Sequence, residues 1–174
     1  MRFTAFVSFP AMLGLAIVSQ ELIVISITEK WLPCVPVMQI LCVWGAFMPI
    51  STLYSNLMNS IGRPNVYMWN TIALGIFQLL CVWGSYPYGL NIMLIVYTAA
   101  NIFWLLIWHY FAHKYIGISL LNTLKDIAPY LIISVAVMTF TYWVAGYVKN
   151  IYLSLLAKIA LAASLYIFLM WSLK

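Results

Sequence analysis

Charge is what this sequence has least of. Asp, Glu, Lys and Arg make up 6% of its 174 residues, where a soluble domain carries about 25%. Eight basic and three acidic side chains cannot cover a chain that is 66% hydrophobic with polar surface. A soluble globular domain is therefore excluded. The net charge of +5 does not indicate nucleic acid, because the basic residues stand singly between apolar runs and read as topology signals. With three acids and two histidines there are no paired carboxylates and no Ser/His/Asp constellation. No phosphate-cradling glycine loop is present either. His109 and His113 are one helical turn apart, but a metal site lacks a third ligand in the sequence. The bland reading is interfacial histidines beside Trp108, Tyr110 and Tyr115, an aromatic belt. Cysteines number three, Cys34, Cys42 and Cys81, with no CxxC and no metal-ligand spacing.

What the chain does have is long apolar runs. Runs of 20 or more residues read as membrane-crossing helices, not as the alternating segments of a β-barrel. The fold class is an all-α integral membrane protein, a single transmembrane domain over residues 1–174. Six spans are expected, at about 3–27, 33–60, 66–84, 90–111, 129–148 and 151–173. The first begins directly after Met1-Arg2 and is longer than the core of a signal peptide, so it should stay in the membrane. Gly62-Arg63-Pro64 and Tyr86-Pro87-Tyr88-Gly89 are breakers between spans. Pro129 suits the first turn of a helix. Pro10, Pro36 and Pro49 fall inside spans and predict kinks or local unwinding.

The connection "GISLLNTLKDIA" differs from the other loops. Leu120, Leu121, Leu124, Ile127 and Ala128 recur at helical spacing, with Asn122, Lys125 and Asp126 elsewhere on the wheel. This predicts a short amphipathic helix over about 117–128, capped by Ser119 and lying on the cytoplasmic surface. Arg2, Arg63, Lys114, Lys125 and Lys174 fall on one side of the membrane, and Lys30 and Lys149 on the other. Five against two puts both termini in the cytoplasm.

The tetrapeptide Cys-Val-Trp-Gly occurs at Cys42 and again at Cys81. The two copies lie on consecutive antiparallel spans, point in opposite directions and have unlike flanks, so they are a chance echo in an apolar composition. Cys42 is expected about 15 Å into its helix and Cys81 near the outer end of the next. That mismatch in depth opposes a disulfide.

A family resemblance runs through the order and spacing of several landmarks. These are Phe9-Pro10, Gly14-Leu15-Ala16, Glu21-Leu22, Glu29-Lys30-Trp31, Gln39-Ile40-Leu41, the turn "NLMNSIGRP" and the connection "GISLLNTLKDIAPYLIIS". Together they resemble bacterial polysaccharide and O-antigen flippases, the polysaccharide transporter branch of the multidrug/oligosaccharidyl-lipid/polysaccharide exporter superfamily. One departure is Thr28, where the family usually has Gly. The resemblance implies a MATE-like C-terminal lobe fragment, the last six helices of a fourteen-helix transporter. On this reading the first lobe and the first two helices of the second are absent from the chain. The implied function is movement of polyprenyl-pyrophosphate-linked oligosaccharide units across the inner membrane for polysaccharide and lipopolysaccharide synthesis. The implied partners are the lipid-linked oligosaccharide, membrane lipids and the missing N-terminal lobe, with no nucleic acid and no cofactor. Rival readings are another small-molecule exporter of the superfamily, a membrane enzyme acting on a polyprenyl substrate, and a structural partner completing a split transporter.

Five residues are candidates for substrate contact or coupling. Glu21 is the only acid inside a span, a place where charge is costly. It is either a coupling site or partner for a base, or a side chain reaching interfacial water. Lys158, in the last span, either pairs with an acid or attracts a pyrophosphate, or else snorkels to the surface. Arg63 either grips phosphate from the cytoplasmic side or only sets topology. Gln39 and Asn101, like Gln78 and Asn70, either bond to sugar hydroxyls or join helices.

Overall fold

A computed structural model describes residues 1–145 and 151–172. Lys149 and Lys174, which entered the topology reading, lie outside the described residues. All regular structure among the described residues is helical. The order is α1 (Arg2–Ser26), a 3₁₀ turn (Glu29–Cys34), α2 (Val35–Ser60), α3 (Pro64–Ser85), a 3₁₀ turn (Tyr86–Tyr88), α4 (Leu90–Ile116), α5 (Leu120–Ala145) and α6 (Ile151–Ser172). All six α-helices are long and apolar enough to cross a membrane. The chain is therefore a multi-pass membrane protein.

Local chemistry sets the ends. Pro64 opens α3 in its first turn, where the missing N–H leaves no bond unmade. Pro36 does the same for α2, so the kink expected there does not arise; Pro10 and Pro49 remain internal. Gly117 closes α4 in the left-handed region, with its N–H 2.8 Å from the His113 carbonyl, a conformation that glycine adopts without a Cβ penalty.

Two expectations need correcting. Residues 117–128 do not form a surface helix of their own. Helix α5 starts at Leu120 and runs through Pro129 to Ala145, and the Ser119 carbonyl accepts the Thr123 N–H at 3.2 Å. A proline inside a helix forfeits one i→i−4 bond, and membrane helices tolerate this loss. The amphipathic stretch is thus the first turns of a spanning helix, and α5 begins nine residues before the expected position. Similarly, α4 continues past Phe111 to Ile116. Its 27 residues span about 40 Å, more than the hydrocarbon core, so its last turns carry Lys114 beyond it.

Helix α1 packs against α2, α5 and α6, while α2 also packs on α4 and α4 on α3. The assembly is thus a chain of neighbours, α3–α4–α2–α1, with the α5–α6 pair on the far side of α1. Ala5, Ala46 and Ala112 are buried in the core with Phe9, Ile50, Tyr54, Met58 and Trp108. Small side chains let helix backbones approach where lipid supplies no hydrophobic drive. Ser8 donates to the Ala46 carbonyl at 2.6 Å and ties α1 to α2.

Candidate functional site

Helix α1 ends at Ser26, five residues beyond Glu21, and α6 starts at Ile151, seven residues before Lys158. The helices run in opposite directions across the membrane, so the two residues arrive at matching depth near the same end. Each helix adds a second group one turn away. On α1 it is the Ile17 carbonyl, and on α6 it is Ser154.

The four groups meet in a buried cluster. Lys158 Nζ lies 2.5 Å from Glu21 Oε1 and donates to the Ile17 carbonyl at 3.2 Å. Ser154 Oγ donates to the same Glu21 oxygen at 3.0 Å. The Lys158 ammonium also stands 5.6 Å from the centre of the Tyr142 ring on α5, within cation–π range. Glu21 is 7% exposed and Lys158 is 6% exposed. Either charge alone at such a place is costly, but the pair is neutral as a unit. Its two halves are unequally satisfied. The ammonium has a carboxylate, a carbonyl and an aromatic face. The carboxylate has both partners on Oε1, and its Oε2 is buried with none. A cavity of about 610 Å³ between α1, α5 and α6 is bordered by Lys158, Thr141 and Tyr166.

The sequence reading singled out Glu21 and Lys158 separately, and the structure brings them together. Of the alternatives left open, pairing is the one observed. Both side chains are buried between helices. Ser154 and Tyr142 were missed. The signal for Ser154 was its place one turn before the only basic residue inside a span; Tyr142 carried none.

The other candidates lie elsewhere. Gln39 Nε2 reaches the Ala16 carbonyl at 3.4 Å, joining α2 to α1. Asn101 accepts from Gln78 Nε2 at 2.8 Å and donates to the Tyr97 carbonyl at 2.8 Å, joining α4 to α3. These bonds are the helix-joining alternative. Arg63, in the α2–α3 turn, stands 5.4 Å from the centre of the Tyr115 ring. His109 Nδ1 is 2.9 Å from the Tyr54 hydroxyl, and His113 Nδ1 donates to the Ile118 carbonyl at 2.9 Å. Cys34, Cys42 and Cys81 are free thiols. Among the described residues no three His, Cys, Asp or Glu side chains converge.

The fold and the buried pair define a class, a helical multi-pass membrane protein with ionised groups sequestered between spans. Its kinship is narrower. The sequence model of a family described as polysaccharide biosynthesis protein matches residues 1–36. A membrane protein in the cps region of Klebsiella pneumoniae is 30% identical over 74 residues, 42% of this chain and 15% of that protein. The lipopolysaccharide biosynthesis protein WzxC of Escherichia coli strain K12 is 31% identical over 72 residues, 41% of this chain and 15% of that protein. The matched part thus spans only 15% of the length of either relative. No solved structure matches the chain at a significant level. These similarities bear out the family resemblance carried by the sequence, to membrane proteins of polysaccharide biosynthesis.

Proposed function

We propose that this chain forms part of a flippase that carries lipid-linked oligosaccharide units across a bacterial inner membrane, with both termini in the cytoplasm. The observation that carries this reading is the family match over residues 1–36, in a chain with six membrane-length helices among its described residues. The name of the Escherichia coli relative points the same way. The whole transporter works by alternating access, two lobes rocking about a central cavity. The lipid tail stays in the bilayer, while the sugar head takes a water-filled path because its hydroxyls cannot be buried unpaired. No chemical bond changes, so the chain is not an enzyme.

In this mechanism the Glu21–Lys158 pair is a strut. The ammonium spends its donors on groups of α1 and its charge on Glu21 and the Tyr142 ring, so it is not available to a substrate phosphate. It fastens α6 to α1 and lets the α5–α6 pair follow α1 as the lobes rock. The test is complementation. A full-length version restores surface polysaccharide to a strain lacking its flippase. Failure to do so, with normal insertion in the membrane, overturns the reading.

A further inference from the structure

The second half of α2 is amphipathic in the opposite sense to a helix that meets lipid. Six of the ten residues from Ser51 to Ser60 are Ser, Thr or Asn. Thr52, Asn56 and Asn59 recur at i, i+4 and i+7, which places them on one face, and all three are exposed. Ile50, Tyr54 and Met58 form the opposite face and are buried in the core. The exposed faces of α3 and α4 at the same end are chiefly apolar, with Met68, Trp69, Ile72, Phe103, Leu106 and Tyr110 on them.

The polar stripe runs into the depth of the membrane. The 26 residues of α2 are about 39 Å long, about 9 Å more than the hydrocarbon core. Thr52 stands about 12 Å before the helix end at Ser60. Even with the whole surplus at this end, Thr52 lies within the hydrocarbon layer, and a tilt carries it deeper. Lipid offers nothing to polar groups there. The Thr52, Ser55 and Ser60 hydroxyls donate to carbonyls of their own helix at 3.1, 2.9 and 2.9 Å, and their oxygens can still accept. Asn56 and Asn59 each bring amide donors and an acceptor, and no described residue pairs with them. The stripe carries no charge.

Resting on the flippase reading above, we infer that this face lines the water-filled path of the sugar head, with Thr52, Asn56 and Asn59 bonding to its hydroxyls. A sugar hydroxyl donates and accepts, as this lining does, and is neutral like it. A phosphate calls for a cation, which the stripe lacks. A second membrane helix calls for small residues that allow close approach, and Asn56 and Asn59 hold it off.

Cysteine labelling in open membrane fragments tests for the water, and complementation tests for the sugar. Cys34, Cys42 and Cys81 are first replaced by Ala. Single cysteines introduced as Thr52→Cys, Asn56→Cys and Asn59→Cys should then all react with a charged, membrane-impermeant maleimide. Ile72→Cys and Leu106→Cys, on the apolar faces, should react at least about tenfold more slowly, because the reactive thiolate is disfavoured in apolar surroundings. Separately, Asn56→Leu with Asn59→Leu in the otherwise unaltered protein should lower the surface polysaccharide restored to a flippase-null strain, at unchanged protein level. The expected drop is about fivefold or more, from the loss of at least one hydrogen bond to the sugar. Labelling at Asn59→Cys alone is ordinary exposure at a helix end and overturns the path. Failure of all three to label means that lipid or protein covers the face, and overturns it too. Undiminished polysaccharide in the double variant overturns the sugar contact. If the unaltered protein restores no polysaccharide while Thr52→Cys and Asn56→Cys label, the flippase reading falls and a water-lined face stands.

Discussion

The two ends of α1 are each tied to the α5–α6 pair by an ion pair, and the two pairs are built for opposite conditions. At one end Arg2 Nε lies 2.6 Å from Asp126, with side chains 71% and 32% exposed. At the other, the side chains of Glu21 and Lys158 are only 10% and 7% exposed, with Ser154, Ile17 and Tyr142 around them. Water can solvate the first pair if it parts. The second has no solvent to fall back on, so its geometry fixes the helices. Similar chemistry therefore holds weakly at one end and rigidly at the other, and burial decides which.

The largest effect should come from breaking the buried pair on one side. Lys158→Met leaves the Glu21 carboxylate unpaired between helices and should destabilise the protein by about 3–5 kcal/mol. Thermal unfolding in detergent measures this. Adding Glu21→Gln to Lys158→Met should recover more than half of the loss, because the stranded charge is what costs most. A double variant as unstable as the single one would mean that the ammonium's bond to Ile17 and its contact with the Tyr142 ring matter more than its charge pairing.

The C-terminal end of α1 also leads into backbone strain. Thr28 has φ of 119°, the only positive φ at a non-glycine residue among those described, and a β-branched side chain is disfavoured there. The family resemblance puts Gly at this position. The turn takes a backbone shape that glycine favours, with Thr in that place. Thr28→Gly should raise stability by about 1–2 kcal/mol, the relieved strain less the added freedom of the unfolded chain. An unchanged unfolding temperature would show that the turn relaxes without the substitution.

Ser154→Ala removes one bond from the crowded Glu21 oxygen and leaves Lys158 in place. The expected loss is about 1 kcal/mol. A loss as large as that of Lys158→Met would show that the hydroxyl, not the ammonium, keeps the carboxylate in position.

The architecture was legible because membrane-length apolar runs carry their own boundaries. The breakers at Gly62-Arg63-Pro64 and Pro87-Tyr88-Gly89 gave the ends of α2 and α3 to within about two residues. The start of α5 was not legible. Pro129 and the amphipathic pattern of 117–128 are local signals for a break, yet the helix passes through both. Half of the buried site was legible, since Glu21 and Lys158 stand out as charges within spans. Their pairing was not, because they are 137 residues apart and nothing in a single sequence gives the rotation of α6 about its axis. Arg2–Asp126 was missed for a related reason. Asp126 was read as part of the polar side of a surface helix, and its partner lies 124 residues away.

The smallest effect should come from the exposed pair, and it sharpens the contrast most directly. Asp126→Asn removes the carboxylate but keeps a polar side chain of the same shape. Arg2 then returns to water, with no buried charge left behind. Surface pairs of this kind are screened over about 8 Å at physiological ionic strength and add little to stability. The unfolding temperature should therefore be unchanged in about 0.15 M salt, with a small decrease only at about 0.01 M, where screening reaches about 30 Å. Lys158→Met should be equally damaging at both salt concentrations, because ions do not enter the space between α1 and α6. If both variants showed the same salt dependence, burial would not distinguish the two ends. If Asp126→Asn were as destabilising as Lys158→Met, the N-terminal end of α1 would be a second fixed joint and α5 would be fastened to α1 along its whole length.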